Sequence, residues 1–296
     1  MSGAAADLTA SLSHRSAIVT GAARGLGAAM AAGLARAGAR LSLTDIDIAE
    51  LRRARDEIYG ETGNDAIAVF EADAARYADA QHVVAETQAR YGSADIVINN
   101  AAIGLATIRP DFVSRPVRFW EIDPRVWARI LAVNANGPFF LEHAAVPGMI
   151  KNGWGRVINL TITFKIMLRF EALGPSKAAI EAHSHIAANA LAGTGVTVNV
   201  ITTGGPADTA QVSDDLGLPR EALLPPSIIV PPVVWLCSNA ANAVTGRRFS
   251  AAHWDTSLPP AEAAAGASRP IAWPELVTRI VVAEGSRIEA ADGTRS

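Results

Sequence analysis

The amino-acid sequence predicts an α/β fold, a doubly wound parallel sheet of about seven strands with helices on both faces. Three observations predict it. From Ser16 to Asn100 a short β-branched run, a turn and an Ala- and Arg-rich helical stretch recur in alternation, which is the pattern of a parallel sheet. The candidate strands are apolar almost throughout, as strands covered on both faces are. A chain of 296 residues, 50% hydrophobic and 19% charged, is long enough for one core and excludes disordered, collagen-like and coiled-coil classes.

Element by element, strands are expected at Ala17–Thr20, Arg40–Thr44, Ala66–Glu71 and Asp95–Asn99, with helices near Leu26–Ala37, Ile46–Tyr59 and Ala75–Tyr91 between them. A long helix follows at Pro124–Met149, marked by Asp123 as N-cap and Pro124 at its first position. Then come a strand at Arg156–Leu160, a helix at Ser176–Ala192, a strand at Val196–Ile201, a helix near Ser227–Ser238 and a last strand near Arg248–Ala252. This places one domain at 13–254 and a C-terminal extension at 255–296, whose final stretch, Gly285–Ser296, has the composition of a mobile tail. Two longer irregular segments, Ala101–Ile122 and Thr203–Pro226, are expected to overhang the carboxyl ends of the strands, where open α/β sheets bind ligands.

Composition narrows the partners. With 26 basic against 29 acidic residues the net charge is -3, so there is no broad field to attract nucleic acid. Cys237 is the lone cysteine, which excludes an intrachain disulfide and fits a reducing, cytoplasmic setting. His143, His183 and His185 lack a metal-ligand spacing, and no metal is expected. The first sixteen residues lack the basic and apolar regions of a secretory signal. Prolines at 225, 226, 231 and 232 interrupt the most apolar late stretch, which is too short to cross ~30 Å of hydrocarbon, so no membrane partner is expected. A small-molecule substrate remains.

Directly after the first strand stands Thr20-Gly21-Ala22-Ala23-Arg24-Gly25-Leu26-Gly27, followed by an Ala-rich helix. Glycines here permit a tight turn and close backbone approach to a pyrophosphate, and the helix N-terminus offers it unpaired N–H groups and a positive dipole. Asp45, 18 residues beyond Gly27, closes the second strand where a carboxylate can accept hydrogen bonds from adenosine ribose hydroxyls and repel a 2′-phosphate. No Arg or Lys occupies 46 to 48, so NAD(H) is preferred over NADP(H); Arg24 is the counter-argument.

The glycine spacing resembles that of the short-chain dehydrogenase/reductase family, and the resemblance runs on from about Ser13 to Trp254. Asn99-Asn100-Ala101-Ala102 looks like its Asn-Asn-Ala-Gly, Val133-Asn134-Ala135-Asn136-Gly137 like its mid-helix Asn motif, and Ser176-Lys177-Ala178-Ala179 like the end of its Tyr-x-x-Ser-Lys pattern. The resemblance implies a Rossmann-like fold, cofactor contacts at Gly21, Arg24, Gly25, Leu26, Gly27, Asp45, Asp73, Asn100, Ala101, Lys177, Gly204, Ala207 and Thr209, and a homodimer or homotetramer.

The resemblance breaks at the catalytic centre. Four residues before Lys177, where the family has the tyrosine that exchanges a proton with substrate, stands Leu173. The other tyrosines, Tyr59, Tyr77 and Tyr91, belong to the dinucleotide half. Ile162 stands where the family's hydroxyl is expected, with Thr161 and Thr163 beside it, and Thr203-Gly204 replaces Pro-Gly. Three readings follow: an oxidoreductase on a small alcohol or ketone in which Asn134, Thr163 and Lys177 organise water or substrate; a catalytically silent dinucleotide-binding subunit or sensor, possible partner of an active homologue; and a non-redox lyase or isomerase reusing the pocket. Lys165 and Arg169, between strand and helix, and Arg115 and Arg118, in the first overhanging segment, are further candidates to face substrate.

Overall fold

The computed structural model describes residues 11–276; the tail expected at Gly285–Ser296 lies outside them. The chain winds β1 (Ser16–Thr20), α1 (Gly25–Arg36), β2 (Arg40–Asp45), α2 (Ile48–Thr62), β3 (Ile67–Glu71), α3 (Tyr77–Tyr91) and β4 (Ile96–Asn99). The second half adds α4 (Pro124–Leu131), α5 (Gly137–Asn152), β5 (Gly155–Leu160), α6 (Phe164–Met167), α7 (Leu173–Ala190), β6 (Val196–Thr202), α8 (Val230–Cys237), β7 (Arg247–Ser250), α9 (Pro260–Ala267) and β8 (Ser268–Pro270). The sheet order is β3-β2-β1-β4-β5-β6-β7-β8, parallel throughout except for β8, which runs antiparallel to β7. Strand order therefore reverses between β1 and β4, the switch point at which such sheets take ligands.

Period-two alternation divides the core. Ala17 and Val19 of β1 face a cluster shared with Met30 and Leu34 of α1 and Val233 and Trp235 of α8, whereas Ile18 faces Val83 and Val84 of α3, Leu141 of α5 and Ala188 of α7. Both faces are covered, which is why the strands read as unbroken apolar runs. On the second face a buried polar network ties the sheet to its helices: the Asn99 and Asn159 amides both donate to Glu142 Oε1, at 3.1 and 3.0 Å, and Glu142 Oε2 lies 2.9 Å from His183 Nε2. Among the described residues no helix is long and apolar enough to cross a membrane.

Several expectations are corrected. Among the described residues the sheet has eight strands rather than about seven, because the stretch after His253 forms a helix and returns as β8. The long helix from Pro124 is interrupted by one π-helical turn at Ala132–Asn136, while its start is as expected, with Asp123 accepting from the Arg125 N–H. Helix α7 begins at Leu173, three residues earlier than expected. The segment between β5 and α7 contains the short helix α6.

Candidate functional site

The turn after β1 is shaped by close backbone approach. Gly21 has φ +64, and a Cβ there would come within 2.9 Å of Ala101 Cα. The Asn100 amide locks the turn from the neighbouring strand end, donating to the Thr20 and Gly21 carbonyls at 2.9 Å each. Helix α1 starts with no side-chain cap and no acidic residue in its first turn, so its leading N–H groups and positive dipole end remain available to an anion. This donor set fits the pyrophosphate of a dinucleotide.

Asp45, at the end of β2, accepts from the Ala23 N–H at 3.2 Å through one oxygen and from the Asp47 N–H at 3.2 Å through the other. It thereby reaches back to the Gly-rich turn while lining the same cleft as Arg24. Asp73, after β3, is held by Arg129 at 2.9 Å. Burial acts to raise its pKa, but the hydrogen bonds from Arg129 and the Ala75 N–H and the nearby Arg129 and Arg76 charges outweigh that and hold the carboxyl below its ordinary value.

Across the switch point, Lys177 of α7 is buried and donates from Nζ to the Leu160 carbonyl at 2.8 Å; burial pushes its ammonium down to about 8. One turn earlier on the same helix, Leu173 presents an aliphatic side chain to the cleft wall. It is preceded by Ala172 at φ +60 and ψ -51, with the Leu173 N–H donating to the Glu171 carbonyl at 2.6 Å, the strained form of a three-residue turn. The Thr161 hydroxyl is committed elsewhere: it donates to Glu181 Oε2 at 3.1 Å and accepts from Arg248 at 2.9 Å. Arg248 also binds Glu181 and the Ile162 carbonyl, so a buried ion pair fixes the backbone behind the cleft wall. Thr163, the N-cap of α6, keeps its hydroxyl free of any capping bond and lines the cleft.

The two overhanging segments close the cleft and clasp each other. Asp215 accepts from the Val113 and Ser114 N–H groups at 2.7 and 2.9 Å, and the Ser213 hydroxyl donates to the Pro110 carbonyl at 2.7 Å. Arg220 holds the second segment together through Asp208, Asp214 and the Thr209 and Val212 carbonyls. A Cβ on Gly25 would meet Thr209 Cγ2 at 3.1 Å, which places Thr209 against the Gly-rich turn. Ala207 is bridged to Leu224, whose partners are the Pro206 carbonyl and the Asp208 N–H, so the Ala207 backbone groups point away from that bridge. The cleft the two segments line has a volume of about 1020 Å³ and is open to solvent.

Of the residues singled out from sequence, Gly21, Arg24, Gly25, Leu26, Asp45, Asp73, Asn100, Ala101, Thr163, Lys177, Ala207 and Thr209 line this one cavity. Three do not. Gly27 packs behind the turn, where a Cβ would sit 2.1 Å from the Gly21 carbonyl oxygen. Gly204 turns at φ +89 against Ser250 and Ala252. Asn134 is fully buried in the π-helical turn, and its side chain is spent on structure: it accepts from the Ile103 N–H at 2.7 Å and donates to the Ile103 carbonyl at 3.0 Å and to Ser176 Oγ at 3.2 Å. Its side chain pins the start of the first overhanging segment. Arg115 pairs with Asp111, and Arg118 lies over Trp120; neither lines the cleft. Sequence reasoning missed Arg129, Arg220 and Asp215, whose partners are set by the paths of irregular segments and carry no local signal.

The family model described as short chain dehydrogenase matches residues 15–215. A D-beta-hydroxybutyrate dehydrogenase of Rhizobium meliloti (strain 1021) is 32% identical over 198 residues, which cover 64% of this chain and 70% of that protein. A sorbitol dehydrogenase of Cereibacter sphaeroides is likewise 32% identical over 198 residues, 65% of this chain and 71% of that one. A metagenomic short-chain oxidoreductase solved in complex with NADP superposes with a TM-score of 0.66 at 26% identity, over 79% of this chain and 95% of that one.

Proposed function

The chain belongs to the short-chain dehydrogenase family, and on that premise we propose that it binds NAD(H) and transfers hydride between the nicotinamide and a small alcohol or ketone at a remodelled centre. The observation that carries the reading is the single cavity joining the Gly-rich turn, Asp45, Asp73, Thr163 and Lys177. The uncapped N-terminus of α1 holds the pyrophosphate, and Asp45 accepts from the adenosine ribose and disfavours a 2′-phosphate. Lys177 binds the nicotinamide ribose, and the Ala207 backbone and Thr209 meet the carboxamide. When bound, the nicotinamide supplies or accepts the hydride. The accompanying proton is held by Lys177, whose burial brings an ammonium into the range of a usable acid, with Thr163 orienting the substrate oxygen.

Calorimetric titration with NADH and then NADPH, followed by nicotinamide absorbance against a panel of carbonyl compounds, tests this. Tighter NADH binding with turnover is expected; absence of NADH binding overturns it. A second reading is favoured by Leu173, a side chain with no proton to exchange: a catalytically silent dinucleotide-binding subunit, for which NADH binds without turnover and an active homologue co-purifies. In either reading a homodimer or homotetramer would use the adjoining faces of α5 and α7, where Phe139, Ile150 and Ile186 are exposed.

A further inference from the structure

We infer that the substrate end of the cleft is built for an anion, a small hydroxy- or oxo-carboxylate, and that Arg169 takes its carboxylate; the inference rests on the reading of the cleft as a dinucleotide and substrate site. The distribution of charge around the wall carries it. Four acidic residues of the lining, Asp45, Asp47, Glu50 and Asp73, gather at the dinucleotide end, and the fifth, Asp208, is bound to Arg220. From Leu160 to Lys177 the wall contains no carboxylate.

The arginines of the lining divide in the same way. Arg129 is neutralised by Asp73 and Arg220 by Asp208 and Asp214, while Arg24 stands at the start of α1 with the pyrophosphate donors. Arg169 has no carboxylate partner among the described residues. Its guanidinium lies 5.3 Å from the centre of the Phe170 ring, and Phe170 in turn packs edge-on against Phe112 of the first overhanging segment, with ring centroids 5.5 Å apart. Stacking on an aromatic face restrains a guanidinium while leaving the N–H groups at its edge free to form a two-pronged pair with a carboxylate. Arg169 is exposed yet lines the cleft, so it stands where the cavity opens. Ile162, Ile166 and Leu173 supply apolar wall for a short carbon skeleton between that opening and Lys177. A wall with fixed positive charge and no counter-charge favours an anion over a neutral alcohol of the same size.

Butyrate and butyramide share a skeleton and differ in charge, and they serve as probes. Each is titrated calorimetrically into the full chain, with and without saturating NADH, for the wild type, Arg169→Gln and Arg169→Lys. Butyrate is expected to bind about tenfold or more tightly than butyramide, Arg169→Gln to abolish that preference with NADH affinity and circular dichroism unchanged, and Arg169→Lys to keep part of it. Equal binding of the two probes, no butyrate binding, or a preference that survives Arg169→Gln overturns the inference. Failure of NADH to bind overturns the reading of the cleft instead, and the titrations without NADH still report on Arg169.

Discussion

At position 173 one side chain decides which chemistry is open to the cleft. Leu173 and Lys177 are one helical turn apart on α7, so a phenol at 173 would stand beside an ammonium already displaced toward neutrality. If the centre lacks only its acid, Leu173→Tyr is expected to raise ketone reduction by ~10²–10⁴-fold, the ordinary contribution of a general acid, as read from NADH consumption; with Lys177 already serving as acid the gain is smaller. Lys177 carries a pH signature of its own. As the acid it must be protonated, so kcat/KM for reduction should be high below about 8 and fall as pH rises through that value. Lys177→Arg, which keeps its proton throughout and cannot hand it to substrate, should remove that limb and leave only slow turnover. The same burial acts on stability: between about 8 and the ordinary lysine value of ~10.4 the unfolded chain holds a proton that the folded one has released, so stability rises with pH across this window. The glycines and Asp45 could be singled out from their spacing after the first strand, and Lys177 from the resemblance of Ser176-Lys177-Ala178-Ala179 to the family pattern. The task of Asn134 could not be, since its partner Ile103 lies 31 residues away at the start of an irregular segment.

Whole elements meet behind the cleft wall in one buried ion pair. Arg248 of β7 and Glu181 of α7 are 9% and 0% exposed, and together they hold the Thr161 hydroxyl and the Ile162 carbonyl. Arg248→Met leaves a carboxylate buried without its counter-charge and should cost ~3–5 kcal/mol, read as a lower urea midpoint; the double variant Arg248→Met/Glu181→Gln should recover much of the loss. The strands and long helices could be read from sequence because burial on both faces imposes an apolar run and amphipathic helices a period. The pairing of Arg248 with Glu181 could not, because it joins elements 67 residues apart. Helix α6, four residues long, and β8, three residues ending in Pro270, are too short for any periodicity to register.

For the molecule as a whole, the clasp between the two overhanging segments governs access. Hydrogen bonds from Ser114 and Val113 hold the Asp215 carboxyl below its ordinary value, so the clasp should persist into mildly acidic solution. Asp215→Ala removes the acceptor of two backbone N–H groups, and NADH dissociation followed by stopped flow should quicken by about fivefold, with earlier proteolytic cutting between 203 and 226. That a large cleft would lie at the carboxyl ends of the strands could be expected from the recurring strand-helix alternation. The clasp between the segments above it could not, because it depends on side chains of two irregular stretches that meet about 100 residues apart in sequence.

Strand β8 also settles how the sheet meets its surroundings. An open sheet margin displays unpaired backbone groups that can recruit a second chain and seed fibrous aggregates. Among the described residues the last strand is three residues long, its final proline lacks a donor, and exposed Arg269 adds a charge that two copies would have to bring together. Without α9 and β8, the Arg247–Ser250 strand would itself become the margin, with Phe249 among its residues. The return of the chain after His253 thus puts at that edge a short strand poorly suited to pairing with a second copy.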